Sequence, residues 1–268
     1  MCYSQEMKLE IISQRARGKA NPTKLLFVHG ICVGAWVWAA HFLPYFANAG
    51  FDSYALSLRG HAASEGHGGL LTWTLGDYTA DVDEAVRTIG GPVIVIGHSL
   101  GGAVVQNWLR CGGDAKGAAL LASVPPWGLG PSAWRMGMTA PRLFHEFSKM
   151  ITAGVDSADP AIMRAALFSA DLPDEAYETF MRRVQDESRI VSLELQGFTT
   201  FAPMPWFAPP MFVLGGRDDQ LIPSDEVWKT AMYYGVKPTL IDGLAHSTML
   251  DPHWKKAAEA LRGWINTL

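Results

Sequence analysis

The sequence has few cysteines, no basic tract and no apolar run long enough to cross a membrane. Its three cysteines, Cys2, Cys32 and Cys111, lie far apart and form no C-x-x-C pattern, so they predict neither a metal site nor a disulfide framework. The formal net charge of -4 disfavours nucleic acid and anionic membranes as partners. The first residues lack the pattern of a secretion signal. We therefore expect a cytoplasmic protein with reduced thiols.

Apolar residues are abundant instead, because they make up 49% of the 268 residues while charged residues make up 18%. This length and balance suit one large domain, or one domain with an insertion. Short apolar runs rich in β-branched residues alternate with segments of helical periodicity. That alternation predicts an α/β fold, with a mostly parallel sheet and helices on both of its faces.

The predicted strands share short length and high apolarity, and they lie at 7–12, 24–28, 52–58, 92–96, 117–121, 211–214 and 239–241. The predicted helices of this part of the chain lie at 36–48, 77–89, 103–110, 224–234 and 253–268. Between residues 124 and 205 strand patterns are absent, and helices are expected near 141–152, 160–169 and 174–196. The sequence thus predicts an α/β core of residues 1–123 and 206–268, with a helical cap of residues 124–205 inserted into it.

The segment from Gly97 to Gly101 joins a predicted buried strand to a predicted helix and has the pattern G-x-S-x-G. In that context the pattern is typical of a nucleophile elbow, a sharp turn that presents a serine side chain. The turn strains the serine backbone and needs small neighbours, which Gly97 and Gly101 supply. Ser99 is therefore the candidate nucleophile.

A serine hydroxyl becomes a nucleophile when a base removes its proton, and the base is usually a histidine that a carboxylate orients. Asp218 and Asp219 follow the predicted strand at 211–214, and His246 follows the strand at 239–241. The carboxyl ends of parallel strands share one edge of the sheet, so these side chains can converge on Ser99. On this pattern either aspartate is a candidate.

The chain resembles the α/β-hydrolase fold family, in its esterase and lipase-like branch with a helical cap. The resemblance extends from Lys24 to Trp264 and rests on His29-Gly30, Arg59-Gly60-His61, the elbow, Gly216-Arg217-Asp218-Asp219 and Gly243-Leu244-Ala245-His246. It implies that Ser99 is the nucleophile, that His246 is the general base, and that Asp219 rather than Asp218 orients the histidine.

Acyl transfer also needs two N–H donors for the oxyanion. Leu100 follows the nucleophile directly and supplies one, and the resemblance implies Ile31 for the other. No cofactor is implied, and no pair of histidines has a convincing metal-binding spacing. Cys32 stands near this site without a predicted base, so we expect it to have a packing role.

A narrower similarity, to the plant methylesterase and hydroxynitrile lyase group, covers residues 29–38. The lyases of that group carry a threonine directly after the first loop histidine and a lysine directly after the catalytic one. This chain has Gly30 and Ser247 at those positions. These departures favour ester hydrolysis over cyanohydrin cleavage.

The predicted function is hydrolysis of a carboxylic ester of a small to medium apolar or aromatic molecule through an acyl-enzyme. A carbon–carbon bond hydrolase, a lactonase or amidase, and a perhydrolase on the same triad stay open as alternatives. A non-catalytic module that keeps the pocket to bind a ligand also stays open. The sequence leaves the oligomeric state open, including a homo-oligomer. A serine nucleophile disfavours haloalkane dehalogenase and epoxide hydrolase, which use an aspartate.

Other histidines are expected to be structural. His29 should anchor the loop after its strand, and His98 should pack or form hydrogen bonds beside the serine. His61 and His67 lie in a polar loop rich in glycine and are expected to be solvated.

Overall fold

The computed structural model describes residues 7–197 and 200–268, so Cys2 lies outside the described residues. The strands of this part of the chain are β1 (Ile11–Gln14), β2 (Lys24–Val28), β3 (Ser53–Leu56), β4 (Val93–His98), β5 (Gly117–Leu121), β6 (Met211–Gly216) and β7 (Thr239–Ile241). They form one sheet in the order β1-β3-β2-β4-β5-β6-β7. β1 pairs antiparallel with β3, and every other pair is parallel. The predicted α/β fold class is confirmed.

The α-helices of the described residues are α1 (Trp36–Ala39), α2 (Phe42–Asn48), α3 (Leu75–Ile89), α4 (Leu100–Arg110), α5 (Gly130–Thr139), α6 (Pro141–Ala153), α7 (Pro160–Leu167), α8 (Asp174–Met181), α9 (Arg189–Glu194), α10 (Ser224–Tyr233) and α11 (Trp254–Ile265). None of them has the length and apolarity that a membrane span requires.

Alternating side chains of the strands build two cores, one on each face of the sheet. In β2, Leu26 and Val28 pack on the face covered by α3, α4 and α10. Leu25 and Phe27 pack on the opposite face, against α1, α2 and α11. All six residues of β4 are buried, as expected for a central strand covered on both faces.

The predicted single helix at 36–48 is two helices, α1 and α2, which are separated at Ala40 and His41. Pro44 lies in the first turn of α2, where its missing N–H leaves no intrahelical bond unmade. The strands at 24–28, 117–121 and 239–241 have the predicted bounds. The strand predicted at 7–12 is observed at Ile11–Gln14, as β1 at one edge of the sheet.

In the described residues between β5 and β6 there are five α-helices, α5 to α9. The sequence did not predict α5, because Gly130, Pro131 and Gly137 lower its helix propensity. The predicted helix at 174–196 is two helices. The chain between them turns towards the core, where Gln185 and Glu187 form hydrogen bonds with residues of the sheet loops. The division into a core and a cap of residues 124–205 stays a prediction.

Candidate active site

Ser99 lies at the junction of β4 and α4, with backbone angles φ 51° and ψ -118°. This left-handed φ is strained for a residue with a side chain, and close packing around it maintains the turn. A Cβ on Gly97 would lie 2.5 Å from the carbonyl oxygen of Gly101, and one on Gly101 would lie 2.3 Å from that of His29. Only glycine fits at either position. The strand–turn–helix geometry of the predicted elbow is therefore present.

Three of the predicted site residues form one continuous row of hydrogen bonds. Nε2 of His246 lies 3.0 Å from Oγ of Ser99, and Nδ1 lies 2.9 Å from Oδ2 of Asp219. Ser99 is 8% exposed, His246 3% and Asp219 4%, so little water competes for these hydrogen bonds. Because Nδ1–H donates to the carboxylate, Nε2 presents its lone pair to the serine hydroxyl.

The structure brings Asp219, and not Asp218, to the histidine. Oδ1 of Asp219 also accepts hydrogen bonds from the backbone N–H groups of Leu221 and Ile222, at 2.8 and 2.9 Å. These bonds hold the carboxylate in the turn after β6 and leave Oδ2 for His246. Asp218, its neighbour in sequence, is exposed.

The backbone N–H groups of Ile31 and Leu100 belong to the two segments that flank Ser99. Leu100 is the first residue of α4, where an N–H has no partner within the helix. Within residues 7–197 and 200–268, neither N–H donates to a protein acceptor. Both are therefore available to a developing negative charge, which the helix dipole of α4 also favours.

Two apolar spaces meet at Ser99 and His246, which line both of them. The first, which we call the inner cavity, has a volume of about 70 Å³ and is lined mainly by Val33, Val37, Met150, Met163, Phe180, Met181, Val184 and Met249. The second, the outer groove, has a volume of about 520 Å³ and is lined mainly by Leu129, Ala133, Trp134, Met136, Met138, Phe144, Ile151 and Thr152. Trp134 and Met138 are 73% and 70% exposed, so the outer groove opens to solvent.

The comparison with protein families agrees with this arrangement. A model described as the alpha/beta hydrolase family matches residues 25–258. This chain belongs to the alpha/beta hydrolase family. The family resemblance predicted from the sequence motifs is thereby confirmed.

Among the curated relatives of this alpha/beta hydrolase, Lipase LipV from Mycobacterium tuberculosis is 30% identical over 151 residues. The match covers 55% of this chain and 51% of the lipase, so the chain spans about half the length of that relative. An esterase from Exiguobacterium antarcticum superimposes with a TM-score of 0.75 at 13% identity, covering 97% of this chain and 96% of that chain. A thermophilic esterase from Thermogutta terrifontis has a TM-score of 0.73 at 17% identity, covering 99% and 96%. At these identities the two structures support the shared fold alone.

His29 and His98 have the structural contacts expected of them in this alpha/beta hydrolase. Nδ1 of His29 donates to the carbonyl oxygen of Gly30, and Nε2 accepts from the N–H of Leu58, so the ring is neutral and ties two loops together. Nε2 of His98 donates to the carbonyl oxygen of His246. Burial lowers the pKa of both histidines to about 3.

His61 is fully buried, and the expectation that it is solvated was wrong. Its Nε2 lies 3.2 Å from Oε2 of Glu187, and its Nδ1 lies 3.1 Å from the carbonyl oxygen of Arg59. Burial lowers the pKa of His61, but the charge of Glu187 and hydrogen bonds to acceptors at both nitrogens outweigh burial and leave the pKa raised. The sequence did show His61 within the Arg-Gly-His motif, but it had no local signal for Glu187, which lies 126 residues away.

Cys32 is buried at the edge of the inner cavity, and burial raises the pKa of its thiol well above the ordinary value. The thiol therefore stays protonated and suits a packing role. In the described part of the chain, no group of three or more His, Cys, Asp or Glu side chains is arranged to hold a metal ion.

Proposed function

We propose that this alpha/beta hydrolase cleaves carboxylic esters through an acyl-enzyme formed on Ser99. The observation that carries the proposal is the hydrogen-bonded row from Asp219 through His246 to Ser99, at the point where two apolar spaces meet. The name of the curated relative, Lipase LipV, supports the same reaction class.

In the proposed reaction, Nε2 of His246 accepts the hydroxyl proton while Oγ of Ser99 bonds to the ester carbonyl carbon. The N–H groups of Ile31 and Leu100 donate to the oxyanion that forms. When this intermediate collapses, the bond to the alcohol oxygen breaks and His246 returns its proton to that oxygen. Asp219 keeps the proton on Nδ1 and stabilises the imidazolium.

The acyl-enzyme is then hydrolysed by the same groups. A water molecule attacks the acyl carbon, and His246 takes its proton. Collapse of the second intermediate breaks the bond to Oγ, His246 returns the proton to Ser99, and the carboxylic acid leaves. This cycle uses only groups of the chain and water.

We further propose that residues 124–205 act as a helical cap that selects apolar or aromatic substrates. Helices α5 and α6 line the outer groove, and α6 and α8 contribute Met150 and Phe180 to the inner cavity. Flexible methionine and flat aromatic side chains suit apolar ligands of varied shape.

The test combines a covalent probe with a substrate panel. A fluorophosphonate should form one phosphorus–oxygen bond, at Ser99, with loss of fluoride and of all turnover. The panel should include aryl esters, lactones, amides and vinylogous diketones, with Ser99→Ala as the inactive control. An adduct on Cys32 or on another serine would contradict the proposed nucleophile. Binding of panel compounds without turnover would favour a non-catalytic module.

A further inference from the structure

Glu187 is a buried carboxylate that lies outside the Ser99–His246–Asp219 row. It lies between α8 and α9, is 5% exposed, and accepts four hydrogen bonds. Oε1 accepts from the hydroxyl of Tyr78 at 2.6 Å and from the N–H of Ser188 at 2.7 Å. Oε2 accepts from Nε2 of His61 at 3.2 Å and from the N–H of Cys32 at 3.3 Å. The N–H groups of Ser188 and Cys32 can only donate, and each oxygen accepts from one of them. Burial raises the pKa of Glu187, but the charge of His61 and hydrogen bonds from His61, Tyr78 and Ser188 outweigh burial and lower it to about 2, so the carboxylate is ionised.

His61 supplies the matching positive charge. Both of its ring nitrogens face acceptors, the carbonyl oxygen of Arg59 and the carboxylate of Glu187, and both can donate only when the ring is an imidazolium. The pair is fully enclosed, because His61 is 0% exposed. A buried ion pair with all of its hydrogen bonds made fixes the geometry of the groups around it.

The group that this pair holds is the loop that contains Ile31. Cys32, the next residue, has a left-handed φ of 64°, which is strained for a residue with a side chain. Both backbone polar groups of Cys32 are bonded. Its N–H donates to Glu187, and its carbonyl oxygen accepts from the N–H of Gln185 at 3.0 Å. The side chain of Gln185 in turn bonds Gly60 and Ala62, on either side of His61.

We propose that Glu187 is a positioning residue for the oxyanion hole, and that it acts by holding Cys32 so that the N–H of Ile31 faces the carbonyl that Ser99 attacks. This inference rests on the proposed function. It adds that a residue between two helices of the 124–205 segment sets the geometry of a loop after β2. An oxyanion donor raises the rate only when its N–H points at the oxyanion, because it is the hydrogen bond formed in the transition state that lowers the barrier.

Glu187→Gln tests this with little change in shape. In the carboxylate, one oxygen accepts from the N–H of Cys32 and the other accepts from the N–H of Ser188. An amide has a single oxygen and can accept from only one of these sides. The bonds on the Ser188 side are shorter, so the amide oxygen should stay there. The amide NH₂ then faces His61, which becomes neutral, and the N–H of Cys32 loses its acceptor.

Glu194→Gln is the matched control. Glu194 also belongs to the 124–205 segment and also bonds the core, because its Oε2 accepts from the N–H of Leu75 at 2.7 Å. That contact lies at the start of α3 and includes no residue of the Ile31 loop. Both variants remove one negative charge that joins the same two parts of the chain.

The first measurement is hydrolysis of a p-nitrophenyl ester, normalised to the Ser99 sites that a fluorophosphonate titrates. Loss of one oxyanion donor lowers kcat by about 10²- to 10³-fold, so displacement of one should lower it by about 10- to 100-fold. We expect that fall for Glu187→Gln, with KM within about threefold, and a change below about twofold for Glu194→Gln. A trifluoromethyl ketone, whose adduct on Ser99 carries an oxyanion, should bind Glu187→Gln more weakly by the same factor as kcat/KM falls.

The second measurement does not depend on turnover. Hydrogen exchange followed by mass spectrometry should show faster exchange in the peptide that contains Ile31 and Cys32 in Glu187→Gln, but not in Glu194→Gln. If Glu187→Gln does not fold, the double variant Glu187→Met/His61→Phe replaces the ion pair by apolar side chains, a change that proteins often tolerate. It too leaves the N–H of Cys32 without an acceptor and should show the same exchange and kinetics.

Unchanged exchange at residues 31–32 would overturn the inference, and so would faster exchange with unchanged kcat. A wild-type protein that hydrolyses no ester would instead contradict the proposed function. In that case the exchange experiment would still decide whether Glu187 holds the loop.

Discussion

The adjacent residues Asp218 and Asp219 have different surroundings and should contribute differently to kcat. In Asp219→Asn the amide oxygen takes over the bonds from Leu221 and Ile222, and its NH₂ faces Nδ1 of His246. The ring then carries its proton on Nε2 and cannot accept one from Ser99.

We expect Asp219→Asn to lower kcat by about 10³- to 10⁴-fold with the fold intact. The exposed Asp218 provides the matched control, and Asp218→Asn should change kcat by less than about twofold. Steady-state kinetics with circular dichroism of both variants measures this. The reverse ranking in folded proteins would move the orienting acid to Asp218.

The His61–Glu187 pair predicts a pH dependence of stability. The pKa of His61 is raised in the folded protein, so its contribution is complete below the unfolded pKa of about 6.5 and is lost as pH rises through the folded value. Burial alone would raise the pKa of Glu187, but His61, Tyr78 and Ser188 lower it from 4.5 to about 2. Its contribution is complete above pH 4.5 and is lost as pH falls towards 2.

The difference in Tm between wild type and Glu187→Gln should therefore be larger at pH 5.5 than at pH 8.5. In the variant the unfolded chain binds a proton at His61 below pH about 6.5 and the folded chain does not, which favours unfolding. Other groups titrate alike in both proteins and cancel in the difference. A Tm difference that is independent of pH would show that His61 is not charged in the folded protein.

The β4–α4 junction depends on close backbone contact. Gly101 lies in the first turn of α4, and a Cβ there would lie 2.3 Å from the carbonyl oxygen of His29 and 2.5 Å from that of Val28. Both atoms are backbone and can yield only if β2 moves away from α4. The requirement for glycine comes from this contact rather than from the helix itself.

Gly101→Ala should therefore lower the free energy of unfolding by about 1–3 kcal/mol or more. Gly263→Ala is the control within another helix, α11, where no heavy atom lies within 4 Å of the added Cβ. It should raise the free energy of unfolding by up to about 1 kcal/mol, because alanine has the higher helix propensity. Urea denaturation measures both, and equal effects would contradict the argument.

Helices α5 to α8 contribute side chains to the two apolar spaces at Ser99, and this arrangement predicts a preference among substrates. Each substrate methylene buried in apolar surroundings contributes up to about 0.8 kcal/mol, or about fourfold in kcat/KM. We expect p-nitrophenyl esters of medium-length acids to have a higher kcat/KM than the acetate, because the outer groove of about 520 Å³ admits them. A steady fall from acetate to palmitate would contradict an extended apolar site.

Met150 and Ile151 are neighbours on α6 that line different spaces, Met150 the inner cavity and Ile151 the outer groove. Met150→Trp and Ile151→Trp should narrow one space each. One of the two spaces holds the acyl chain, and the variant that narrows it should have its highest kcat/KM with shorter esters. The other variant should keep the acyl-length preference of the wild type. An equal shift in both variants would mean that the two spaces act as one.

Local patterns in the sequence were sufficient for the strands, for most helices and for the elbow, because alternation, helical periodicity and turn residues act over a few neighbouring positions. They also placed the candidates Ser99, Asp219 and His246 after strands that a parallel sheet brings to one edge. The motifs shared with the alpha/beta hydrolase family selected Asp219, and the bond to His246 agrees with that choice.

The tertiary structure alone decided where the helical region breaks and what surrounds His61. Between α8 and α9, Gln185 and Glu187 form hydrogen bonds with the loops that contain Cys32 and His61. Glu187 meets His61 across 126 residues of sequence. A carboxylate in a polar stretch and a histidine in a glycine-rich loop look solvated when each is considered with its neighbours alone. Burial and charge pairing depend on which distant segments the fold brings together, so no local pattern carries them.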